Sequence, residues 1–198
     1  VPVFIALLGS YLIGSLDFAV VVARAHGVDI HQEGSGNPGA SNVLRTLGRG
    51  PAAMVFGGDT LKGVIAAALG MLASPLDPGP TAPLAFTAGL LAVVGHCFPI
   101  YHRFKGGKGV ATGAGVLLFT LPVVALILVV VWVTIAKLFK VASIASLVAV
   151  SITLPLALWQ GVRGWSLIAL AGMLGLIVVR HTPNIRRMMA GAEQRVPT

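Results

Sequence analysis

Apolar residues run in long, nearly unbroken stretches along this chain, and polar residues gather in short segments between them. Residues 3–23 are apolar apart from a few Gly and Ser, Tyr11 and the single charge Asp17. Residues 51–73, 84–101, 109–136, 142–159 and 165–180 repeat the pattern, with Asp59 and Lys62 set inside the first of them. A helix needs about 20 apolar residues to cross a bilayer, so most of these stretches have the length of one span. The 109–136 stretch is too long for one span and contains Pro122, which predicts two helices joined by a tight turn there. The pattern therefore predicts seven transmembrane helices. Membrane barrel strands would alternate in polarity over about ten residues, and the unbroken runs exclude them. No internal repeat of transporter type is present.

Composition identifies the solvent. Hydrophobic residues make up 56% of the 198 residues, charged residues 10%, and the mean hydropathy is +0.92. A soluble domain carries about 25% charged residues, so this chain cannot cover its surface with polar groups. The same numbers exclude disorder. The reading is one all-α integral membrane domain over residues 1–198. The N-terminal run has no basic segment before it and no clear cleavage site, which predicts a retained helix. Cys97 is the sole cysteine, which excludes an intramolecular disulfide and a cysteine-rich metal site.

Charge orients the helices. Seven spans put the termini on opposite sides. With the N-terminus outside and the C-terminus cytoplasmic, every Lys and Arg except Lys62 and Arg163 falls in an inner segment, as the positive-inside rule requires. The net charge of +8 would suggest nucleic acid in a soluble protein. Here the basic residues flank apolar runs, which points to anionic headgroups or anionic substrates and to no nucleic-acid partner.

This orientation gathers three polar motifs on one face. Gly34-Ser35-Gly36-Asn37-Pro38-Gly39-Ala40-Ser41-Asn42 matches GxGxxG, but a dinucleotide site needs a strand before it and a βαβ unit. A glycine-rich loop still offers backbone amides to an anion. Ser35, Asn37 and Asn42 add polar side chains, and Arg45 adds a planar cation suited to phosphate. A single Asn or Ser helix cap explains one such residue, not the cluster. The second motif, Phe104-Lys105-Gly106-Gly107-Lys108-Gly109, lacks the upstream Gly and the following Ser or Thr of a Walker loop. Its glycines precede a helix start near Val110, where an anion is favoured, and Lys108 adds charge. Lys105 reads as a headgroup anchor. In the third, Arg180-His181-Thr182-Pro183-Asn184-Ile185-Arg186-Arg187, His181 and Asn184 share a face if the helical path persists across Pro183. Histidine there is a base, an acid or a hydrogen-bond donor.

The remaining polar residues carry less. Asp59 and Lys62, three apart inside a span, read equally as a structural ion pair and as a substrate contact. His96 reads as a packed, hydrogen-bonded histidine. No HExxH or other metal-ligand spacing is present, and no GxSxG elbow. Two anion loops beside apolar helices suggest an amphiphilic phosphorylated substrate; spacing alone does not name the reaction. A membrane anion or lipid transporter is the alternative, and it predicts binding groups near the bilayer midplane and repeat symmetry.

GSGNPGASNVLR (34–45), GHCFPIYHRFKGGKGVATG (95–113) and RHTPNIRR (180–187) together resemble the bacterial acyl-phosphate-dependent glycerol-3-phosphate acyltransferases, the PlsY family. DTLKG (59–63) and KVASIAS (140–146) extend the likeness over nearly the whole chain. The resemblance implies a multi-pass protein of the bacterial inner membrane with its active site facing the cytoplasm. It implies acyl transfer from acyl phosphate to the 1-hydroxyl of sn-glycerol 3-phosphate, giving lysophosphatidate and phosphate. It implies no cofactor, no metal and no obligate protein partner beyond membrane lipids. Ser35, Lys108, His181 and Asn184 are expected to be catalytic. Arg45, Gly106, Gly107, Asn37, Asn42, Ser143 and Lys62 are expected to bind substrate. Glu193 matches the acid after the third motif. Two positions depart from the family pattern: Asp17 stands where Pro is usual, and Pro38 replaces a commoner Ile. A CoA-dependent acyltransferase of soluble type would carry Asp five positions after a His, and none of the histidines here has one.

Overall fold

The structure, a computed structural model, describes residues 2–74 and 79–195. Part of the turn-rich 74–83 loop, residues 75–78, lies outside the described residues. All regular structure among the described residues is helical: α1 (Pro2–Gly14), α2 (Phe18–Ala25), α3 (Ala40–Leu47), α4 (Arg49–Leu72), α5 (Pro83–Cys97), α6 (Val110–Thr120), α7 (Pro122–Phe139), α8 (Ala142–Trp159), α9 (Gly164–Arg180) and α10 (Thr182–Met189). A single 3-10 turn, Ile100–His102, follows α5.

Five segments have the length and composition of a span: α1 with α2, α4, α5 with its following turn, α7, and α8. A sixth is α9 with α10, bent by 46°. The seventh apolar run of the sequence, α6, is shorter. Its 11 residues rise about 16 Å, roughly half the hydrocarbon thickness of about 30 Å. Pro122, at the first position of α7, has no N–H to continue α6, so the turn forms where the proline predicts it.

The first run is not one straight helix. α1 ends at Gly14, and α2 restarts at Phe18 with Asp17 as its N-cap; the Asp17 carboxylate accepts from the Val20 N–H at 3.1 Å. An N-cap acceptor satisfies a backbone donor that lipid cannot. The break leaves the Leu16 carbonyl free to accept a hydrogen bond from the Lys62 ammonium at 2.7 Å.

α4 is the central helix and packs against α1, α2, α3, α5 and α6. Its crossing with α6 is close enough that a Cβ on Gly63 would collide with the Thr112 carbonyl oxygen, and one on Gly115 with that of Thr60. Small residues permit such approach where lipid supplies no hydrophobic drive between helices. Phe86, Val93, Val116, Leu170 and Met173 fill the interior between α5, α6 and α9. α7 instead turns Val123 and Val130 outward, as a lipid-facing helix must. Gly115→Val is expected to force α4 and α6 apart at a cost of about 1–3 kcal/mol or more. It should lower the detergent unfolding midpoint, whereas Gly57→Ala, whose added carbon meets nothing, should not. Equal midpoints for both variants would refute this account of the crossing.

Candidate active site

The first loop is organised by Asn42. This buried residue on α3 accepts the Ser35 N–H on Oδ1 at 2.9 Å and donates Nδ2 to the Glu33 carbonyl at 2.9 Å. It thereby holds the turn that presents Ser35, whose Oγ is 3.5 Å from the Asn37 N–H. The second loop is organised by Arg180. Its guanidinium donates to the Gly106 carbonyl at 2.7 Å and the Gly107 carbonyl at 3.0 Å. The Gly107 N–H donates to the His96 carbonyl at 3.1 Å. That amide therefore serves the loop rather than an anion. Gly109, at φ 86, is the left-handed residue that starts α6. Few residues but glycine adopt that conformation cheaply, and it sets Lys108 at the head of the helix.

The third motif bends at its centre. His181 closes α9 and precedes α10, and its Nδ1 lies 2.7 Å from the Ile177 carbonyl. A carbonyl only accepts, so Nδ1 carries the proton and the neutral ring keeps its lone pair on Nε2. Asn184, one turn on, donates Nδ2 to the Glu193 carboxylate. Its Oδ1 is buried without a partner among the described residues.

These elements surround a cavity of about 660 Å³. One end is polar and holds Ser35, Asn37, Arg45, Lys108, His181 and Asn184. The other runs as an apolar groove between α6, α7 and α8, lined by Leu117, Leu118, Leu126, Val129 and Val150. Ser143, at the start of α8, and Asn42 also line it. Three residues expected at the site do not line the cavity. Gly106 and Gly107 lie beneath it as loop backbone, and Lys62 is buried against Asp59 at 2.7 Å.

The tail closes over the polar end. Glu193 accepts from Ser143 Oγ at 2.8 Å and Arg187 Nε at 2.8 Å as well as from Asn184. Arg45 donates to the Gln194 and Arg195 carbonyls, at 3.3 and 2.9 Å. Burial raises the Glu193 pKa, but the hydrogen bonds from Asn184, Ser143 and Arg187 outweigh it and hold the carboxyl below its ordinary value. Burial lowers the Arg45 pKa, with Glu193 opposing. Lys108 is brought down to about 8, chiefly by burial; Glu193 opposes the shift, and Arg187, Arg45 and Arg180 add to it. A cation kept partly desolvated interacts strongly with an anion that displaces water from it.

Sequence reasoning missed Thr60 and His96 as cavity residues and left Asp59, which lines the cavity, open between an ion pair and a substrate contact. It also missed Arg180 as the brace of the second loop. No spacing signal reveals His96 or Arg180, because their hydrogen-bond partners lie 34 residues away for His96 and 73 and 74 residues away for Arg180. Glu193 was found only through the resemblance.

The family model described as glycerol-3-phosphate acyltransferase matches residues 4–191. A glycerol-3-phosphate acyltransferase of Halorhodospira halophila is 45% identical over 195 residues, covering 98% of this chain and 96% of that protein. One from Pseudomonas aeruginosa is 42% identical over 186 residues, covering 93% and 95%. The crystal structure of PlsY, an integral membrane glycerol 3-phosphate acyltransferase, in its glycerol 3-phosphate form superposes with a TM-score of 0.91 at 36% identity. That match covers 99% of this chain and 96% of the other. Its lysophosphatidic acid form gives 0.89. With the family model spanning nearly the whole chain and relatives above 40% identity, this integral membrane protein belongs to the glycerol-3-phosphate acyltransferase family.

Proposed function

We propose that this protein transfers a fatty acyl group from acyl phosphate to the 1-hydroxyl of glycerol 3-phosphate at the cytoplasmic face of a bacterial inner membrane. The observation that carries the reading is a cationic polar pocket continuous with an apolar groove. Arg45 and Lys108 suit phosphate, and the groove between α6, α7 and α8 suits an acyl chain. The relatives' names and the two substrate-related forms of the PlsY structure support it.

In this reading His181 Nε2 accepts the proton of the attacking hydroxyl. The hydroxyl oxygen bonds to the acyl carbonyl carbon, the carbon–oxygen bond to phosphate breaks, and phosphate leaves with the bonding pair. Acyl phosphate is an activated mixed anhydride, so no covalent enzyme intermediate is needed. Lys108 and Ser35 stabilise charge on the phosphoryl group, and Asn184 orients the hydroxyl. Arg45 must release the tail carbonyls or share its remaining donors when glycerol 3-phosphate binds. Electrostatic stabilisation of this kind is usually the largest catalytic contribution.

The membrane topology belongs to the same proposal: seven crossings, with α6 as a short one, an external N-terminus and a cytoplasmic C-terminus. Inverted membrane vesicles given external glycerol 3-phosphate and palmitoyl phosphate should form lysophosphatidate, while palmitoyl-CoA should give none. Right-side-out vesicles should be inactive until permeabilised. Product from palmitoyl-CoA alone would overturn the donor assignment, and activity in sealed right-side-out vesicles would overturn the orientation. No product from either donor, with uptake of glycerol 3-phosphate instead, would favour a transporter.

A further inference from the structure

Beneath the second loop, α4 and α5 bury charged and titratable side chains against the break between α1 and α2. Lys62 Nζ lies 2.7 Å from Asp59 Oδ1, 2.7 Å from the Leu16 carbonyl and 2.9 Å from His96 Nδ1. Lys62, Asp59 and His96 are buried, the first two almost completely. An ammonium has three protons and no acceptor site. The Leu16 carbonyl accepts from it, Asp59 Oδ1 pairs with its charge, and His96 Nδ1 lies nearer to Nζ, at 2.9 Å, than to Asp59 Oδ1, at 3.5 Å, so the Lys62–His96 contact runs from Nζ–H to Nδ1. The imidazole proton must then sit on Nε2. His181 has the opposite arrangement, with its proton on Nδ1.

His96 lines the cavity. Its Nε2 edge faces Gly107: a Cβ on that glycine would collide with Nε2, and it would press on Cε1 and on the Pro38 carbonyl oxygen. The ring therefore stands where the first and second loops meet. It offers one N–H at the polar end of the cavity, close to the loop that carries Lys108.

We propose that His96 is a substrate-binding hydrogen-bond donor, its Nε2–H directed at a phosphate oxygen in the polar pocket. Lys62 and Asp59 are positioning residues that fix its tautomer through the ammonium. This deepens the acyltransferase reading and rests on it for the identity of the phosphate. It also gives Lys62 a role without substrate contact, and it places the glycine requirement at 107 in the space the ring needs.

Two measurements test it. The first is nitrogen NMR of histidine-labelled wild-type protein in detergent, which needs no turnover. His96, assigned by the loss of its signal in His96→Gln, should show a protonated Nε2 and an unprotonated Nδ1. Lys62→Met should change that pattern, because it removes the donor to Nδ1. A protonated Nδ1 in the wild type would overturn the proposal even if acyl transfer is confirmed. The second is kinetics. Glutamine places an amide N–H near the position of Nε2, whereas asparagine places it near Nδ1. His96→Gln should keep kcat/KM within about 10-fold, a charge-neutral donor being retained. His96→Asn should lose about 100-fold, mostly as a raised KM for the phosphorylated substrates. Equal losses in both variants, or none in His96→Asn, would overturn it. An inactive wild type would instead reject the acyl-transfer reading and leave the NMR result to decide the tautomer.

Discussion

Lys108→Met is expected to lower kcat/KM for acyl transfer by about 100- to 1,000-fold, the usual loss when one donor to developing charge is removed. Lys108 sits at the start of α6, beside the left-handed Gly109, and lines the polar end of the cavity. In the proposed reading the helix N-terminus and the ammonium act on the same anion. The variant should fold at least as well as the wild type at pH 7. Burial brings the Lys108 pKa down to about 8, so the folded protein bears a cost for the charged form that the unfolded chain does not. That cost is complete below pH 8. It is relieved as pH rises from 8 towards the ordinary lysine value, because the unfolded chain then holds the proton that the folded chain has released. Methionine removes it.

The same pKa sets a pH limb. In the free enzyme the ammonium loses its proton as pH rises through about 8. Log kcat/KM should therefore fall above that pH, and Lys108→Arg should move the fall upward, since guanidinium stays charged. A wild-type profile flat to pH 10, or full activity in Lys108→Met, would remove Lys108 from the charge-stabilising role.

His181→Gln is the second large effect. The Nδ1–H bond to the Ile177 carbonyl leaves Nε2 as the only basic atom of the ring. General-base catalysis contributes about 100- to 10,000-fold, and glutamine cannot replace it. A loss of that size in kcat at saturating substrate, with KM little changed, is the expected result. A loss below about 10-fold would show that a phosphate oxygen of the substrate takes the proton and that the ring only orients. The Ile177 contact closes the donor reading of His181 for the neutral ring, which motif spacing alone had left open.

The hydrophobic pattern by itself determined that the chain is helical and embedded in lipid, because unbroken apolar runs of this length have no other stable solvent. It located the turn at Pro122, since the missing N–H of proline is a local property. It also located the three motifs, and most of their side chains do meet: Ser35, Asn37, Asn42, Arg45, Lys108, His181 and Asn184 line one cavity. The break at Asp17 was not legible as a helix boundary, because capping depends on where the chain turns rather than on the acid alone.

Tertiary structure decided which partners each polar group has. Asn42 and Arg180 are braces of the loops rather than free binding groups, because their side chains bond loop backbone, Asn42 in the loop just before its own helix and Arg180 in a loop more than 70 residues away. Lys62 belongs to a buried cluster because the α1–α2 break and His96 happen to supply its acceptors. Glu193 reaches Ser143 across 50 residues. Local physics writes helix, turn and burial into neighbouring residues. The proton on the His96 ring and the acceptors of the Lys62 ammonium are set by atoms that only packing brings within 3 Å.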